Sequence, residues 1–84
     1  MKLRKDYPYN LAIDDFSKFI SRVVKDKVVL QEFSELLEDA RGRKTFPMRG
    51  LHQKLMSYRK AKADYTTFTE GEREMIEDLM YFWG

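Results

Sequence analysis

Apolar side chains recur along this chain with a helical period in four separate stretches. With residues placed about 100° apart, Ala12, Ile13, Phe16, Phe19, Ile20, Val23 and Val24 fall in one arc, which predicts a helix over 11–24. Asn10 stands where a side-chain oxygen can accept from a free first-turn N–H. Asp14 and Asp15 follow in the acidic end that a helix dipole favours, so the pair is assigned to the helix and not to catalysis. A second helix is predicted over 27–41, capped by Asp26, with Val29, Leu30, Phe33, Leu36, Leu37 and Ala40 apolar and Glu32, Glu35, Glu38 and Asp39 opposite them. Gly42 is placed to close that helix in a left-handed conformation.

Pro47 lacks an N–H and biases Phe46 toward extended geometry, so 42–48 reads as a loop. The third helix is expected over 49–63, with Leu51, Leu55, Tyr58 and Ala61 inward. Arg49, Gln53, Met56 and Lys60 line its outer face, flanked by His52 and Arg59. After a connector over 64–68, Thr69 and Glu72 have the spacing of a capping box. They open a fourth helix over 70–82, whose apolar set is Met75, Ile76, Leu79, Met80, Phe82 and Trp83. No period-2 alternation competes with these signals. The expected fold is all-α, a compact bundle or orthogonal array of four short amphipathic helices. It forms one domain over 1–84 with a basic, aromatic N-terminal arm at 1–9.

Composition supports a folded chain, since six Phe, five Tyr and one Trp in 84 residues supply core material despite the high charge. The absence of cysteine excludes disulfides and thiolate metal sites. His52 is the sole histidine and has no carboxylate at ligand spacing, so neither a metal nor a cofactor is expected. No apolar run approaches the ~18 residues of a membrane span, and the N-terminus has no apolar leader. A cytoplasmic protein without membrane contact is expected. No Gly-rich phosphate loop, nucleophile elbow or paired carboxylates appear, so the chain is read as no enzyme.

Charge supplies the functional signal. The near-balance of 16 basic and 14 acidic side chains conceals a sorting into blocks. Residues 28–40 carry four acids and no base, 41–63 eight bases and no acid, and 64–84 six acids and one base. Such segregation marks a surface built to meet something negative. The competing interpretation is that a basic helix between two acidic ones neutralises them through exposed pairs of little worth. The acids of the second and fourth helices lie opposite their apolar faces, however, and should reach the basic helix only at its margins.

The expected function is therefore non-enzymatic nucleic-acid binding through the loop-helix segment 41–62. Arg41, Arg43, Lys44, Arg49, Lys54, Arg59 and Lys60 would contact phosphates, and Phe46 or Tyr58 would stack on a base. The arm residues Lys2, Arg4, Lys5, Tyr7 and Tyr9 would extend the patch. A helix-turn-helix is not supported. With the short 25–27 turn the recognition helix would be acidic, and the 42–48 loop is too long for the tight motif. The loop-plus-aromatic character fits RNA or single-stranded DNA better than duplex. The alternative is a protein-interaction module or inhibitor that docks its basic face on an acidic or nucleic-acid-handling partner, anchored by Met56, Tyr81 or Trp83. The aromatic C-terminus, 80–84, is read as the end of the core or as the seam of a homodimer.

Overall fold

The computed structural model describes residues 6–62 and 68–84, and of residues 59–62 the backbone alone. The described residues form four α-helices and no strand: α1 Tyr9–Val23, α2 Lys27–Arg43, α3 Met48–Lys62 and α4 Glu70–Trp83. The all-α expectation holds. No described helix is long and apolar enough to cross a membrane. Contacts group the chain into two compact units, Asp6–Phe46 with α1 packed on α2, and Pro47–Gly84 with α3 packed on α4.

In the first unit α1 begins a half-turn earlier than its periodicity predicts. Pro8, at φ −60°, provides the bend into the helix and its carbonyl accepts from Ala12 N–H at 2.9 Å. Asn10 therefore lies inside the helix and caps nothing, and Asp14 and Asp15 lie beyond the first turn. The dipole assignment of that acidic pair gives way to specific bonds. Tyr7, buried beside the helix, donates its hydroxyl to Asp15 Oδ2 at 2.6 Å. Arg41 takes both Asn10 and Asp14, as described below. Ala12, Ile13, Phe16, Phe19 and Ile20 are buried as their arc predicts.

α2 starts where expected, with Asp26 Oδ1 accepting from the N–H groups of Val28 and Val29 at 2.9 and 3.3 Å. It runs two residues past its predicted end. Gly42 stays helical, and Lys44 takes the left-handed position at φ 57°, ψ 45°. The exit is a Schellman motif, in which Thr45 N–H reaches Ala40 O and Lys44 N–H reaches Arg41 O, at 3.1 and 3.2 Å. A helical glycine costs only about 1 kcal/mol. The later exit keeps Arg43 helical, one turn beyond Asp39, with which it pairs. Phe33, Leu37 and Ala40 are buried, whereas Val29 and Leu30 are half-buried and Leu36 is exposed. The apolar face of α2 is thus narrower than its sequence suggests.

An aromatic cluster forms the centre of this unit. Phe16 lies 5.7 Å from Phe19, 6.1 Å from Phe33 and 5.7 Å from Phe46, centroid to centroid, the last pair edge-on at 74°. Tilted and edge-on contacts are the arrangements that aromatic quadrupoles prefer.

In the second unit α3 buries Met48, Leu51 and Leu55, while Tyr58 is half-buried. The Thr69 capping box forms as its spacing predicts. Thr69 Oγ1 accepts from Glu72 N–H at 3.1 Å, and Glu72 Oε1 accepts from Thr69 N–H at 2.9 Å. α4 buries Leu79 and, beside it, Asp78, a carboxylate that the apolar pattern does not single out. Met75, Ile76, Phe82 and Trp83 are half-buried rather than enclosed, and Met80 is exposed. The predicted arm residues Lys2, Arg4 and Lys5 and the connector 64–67 lie outside the described residues.

Candidate nucleic-acid interface

The predicted contacts divide between the two units. In Asp6–Phe46 they are Arg41, Arg43, Lys44 and Phe46. Arg41 is not a free cation. Its Nη1 donates to Asn10 Oδ1 at 3.0 Å and its Nη2 to Asp14 Oδ1 at 2.8 Å, with Glu38 at 3.9 Å. The hydrogen bond to Asp14 raises the guanidinium's pKa above its ordinary value, and the group stays charged. Arg41 thus ties α2 to α1 and is a structural ion pair at the surface. Phe46 is corrected more sharply. At 1% exposure, edge-on to Phe16, its ring has no face to offer a base. The turn after α2 folds it inward because the aromatic cluster is the apolar surface nearest to it in this unit.

Arg43 and Lys44 are presented outward. The Arg43 side chain is 74% exposed and shares its charge with Asp39 one turn back, Nε to Oδ2 at 3.0 Å. This pair shows that the acids of α2 meet the start of the basic segment within their own helix. Lys44 is exposed at a backbone position that glycine would adopt without cost. Replacing Lys44 by glycine should therefore raise stability by roughly 0.5–1 kcal/mol. In a titration against nucleic acid it should reduce the salt slope by about one. Chemical denaturation and that titration check the two halves of the prediction separately.

In Pro47–Gly84 the basic residues stand on α3. Arg49 and Gln53 are exposed, and His52, Lys54, Met56 and Tyr58 are half-buried. The side chains of Arg59 and Lys60 lie outside the described residues, although both positions are helical. α3 has no acid in its first turn and none in its whole length, while Arg49 occupies its second position. A helix N-terminus carries partial positive charge and disfavours a cation there. α4 shows the opposite, locally consistent arrangement, with Glu70 and Glu72 in its first turn. Arg49 and Lys44 are therefore each set against the preference of their own backbone, as is Lys27 at the first position of α2.

Sequence reasoning missed the engagement of Arg41 because its partners Asn10 and Asp14 lie 31 and 27 residues away. It missed the exposure of Met80, and the structure shows its neighbour Tyr81 67% exposed. Among the described residues no group of three His, Asp or Glu side chains is placed to hold a metal ion. Compared with protein-family models, curated proteins and solved structures, the chain matches none of them.

Proposed function

We propose that this chain binds nucleic acid through its phosphates, using Arg43 and Lys44 at the end of α2 and Arg49 and Lys54 on α3. Arg59 and Lys60 follow in the same acid-free helix. One observation carries the reading: Lys44 and Arg49 are exposed cations in places where the local backbone disfavours them. Local preference given up with no compensating contact among the described residues is what a binding surface leaves behind. Phosphates would supply the missing compensation. One would satisfy Lys44, and one at Arg49 would turn the N-terminal end of α3 from an unfavourable neighbour into a second attraction.

The burial of Phe46 changes the mode of binding. Without that ring, stacking falls to Tyr58, which is half-buried. Recognition then rests on backbone charge, which single strands and duplexes both provide. The test is a fluorescence-anisotropy titration of the chain against labelled single-stranded RNA, single-stranded DNA and duplex DNA. For about four phosphate contacts, affinity should fall about 100-fold between 50 and 200 mM salt. Absence of binding at low salt, or binding indifferent to salt, would sink the proposal.

A second reading keeps the same cations but gives them an acidic protein as their partner. The half-exposed Met56 beside Arg49 and Gln53 favours it, since methionine adapts to protein surfaces. A tight one-to-one complex formed without nucleic acid would select this alternative.

A further inference from the structure

Two side chains of α1 hold the guanidinium of Arg41 much as a phosphate would. Asn10 and Asp14 stand one turn apart, and their Oδ1 atoms accept from Nη1 at 3.0 Å and Nη2 at 2.8 Å. The same fork of donors suits two oxygens of a phosphate. Both partners of the ion pair are open to solvent, the Arg41 side chain 37% exposed and that of Asp14 58%. Glu38, the other acid at this guanidinium, stands farther off at 3.9 Å. An exposed pair of this kind is worth only about 0–1 kcal/mol, so the fold loses little when another anion takes the carboxylate's place. α1 and α2 remain joined through Phe16 and Phe33, whose rings lie 6.1 Å apart. Tyr7 bonds Asp15 and not Asp14, so the contact at the start of α1 survives the exchange as well.

The position of the pair suggests what it does. The run 41–63 contains no acid, and the carboxylate on its first member comes from 27 residues away. Lys44, an exposed cation of the proposed surface, closes the same helix end, its N–H bonded to Arg41 O at 3.2 Å. We propose that Asp14 is an autoinhibitory anion, which occupies Arg41 in place of a phosphate and keeps it out of the nucleic-acid interface. Once released, Arg41 joins Lys44 at the end of α2 as a further phosphate contact. This regulation acts on the surface proposed above and rests on that reading. A guanidinium already neutralised by a carboxylate displaces no counterion from a nucleic acid, whereas a released one does.

The experiment is an anisotropy titration against single-stranded RNA at salt concentrations between about 50 and 200 mM. Four chains are compared: wild type, Asp14→Ala, Arg41→Gln and the double variant. Asp14→Ala should bind about tenfold tighter than wild type at low salt, the gain expected of one charge-assisted contact. Its plot of log affinity against log salt should also steepen by about one contact, because the slope counts phosphates neutralised. Adding Arg41→Gln to Asp14→Ala should restore the wild-type slope, and should cost more affinity than Arg41→Gln does alone. Helical circular dichroism establishes that each variant is folded. If the wild-type chain binds but Asp14→Ala binds no tighter, or with an unchanged slope, the autoinhibition is overturned and the phosphate-binding reading stands. An Arg41→Gln cost that is equal in both backgrounds overturns it too. Absence of binding by all four chains overturns both.

Discussion

Converting Arg43, Lys44 and Arg49 together to glutamate should reduce affinity for RNA or DNA at least about 100-fold at low salt, with the helical circular dichroism spectrum intact. Each reversal removes a counterion-releasing contact and sets a negative charge against phosphate, so the three effects compound. Folding should survive because all three side chains are exposed. The one described ion pair lost is that of Arg43 with Asp39, an exposed contact within a single helix. The Arg49→Glu change also places an acid at the N-terminal end of α3, where the dipole favours it, and should stabilise that helix slightly. Anisotropy titration of the triple variant beside the wild-type chain reads the result. Affinity retained within a few-fold would place the binding surface elsewhere.

Replacing Phe46 by alanine should destabilise the fold by about 3–5 kcal/mol, the range for deleting a fully buried phenylalanine. The ring is 1% exposed and meets Phe16 edge-on, and Phe16 in turn touches Phe19 and Phe33, so its removal opens a hole beside the cluster. A small domain has roughly 5–15 kcal/mol of stability in all, and this loss takes a large share of it. Denaturant unfolding measures the change. Phe46→Leu refills most of the volume and should retain nucleic-acid affinity per folded molecule. The opposite result, a well-folded Phe46→Ala chain that no longer binds, would return the ring to the interface.

These two expectations separate what the pattern of residues reveals from what it conceals. Helix positions follow from periodicity and capping chemistry, which act over a few residues. Asp26 and the Thr69–Glu72 box mark their helix starts correctly for that reason. Errors arise where a distant contact outweighs a local preference. Gly42 has the residue type of a helix stop, but the chain stays helical to Arg43 and turns at Lys44. Asn10 has the type of a cap, but Pro8 starts the helix before it and Arg41 claims its side chain.

The charge blocks are a property of the sequence alone, and so are the acid-free length of α3 and the arcs that bury Phe16, Phe33, Leu37, Leu51, Leu55 and Leu79. Which cations stay available is decided by tertiary structure. A side chain's partner can come from any element brought alongside it, as Asp14 comes to Arg41. Which aromatics face water is decided the same way. Phe46 follows a basic turn in the sequence and Tyr81 stands among apolar residues, but the turn after α2 carries the first into an aromatic cluster, while the packing of α4 leaves the second exposed. Periodicity states which side of a helix is apolar. How much of that side is covered depends on how many neighbours reach it, and that is a fact of the folded chain.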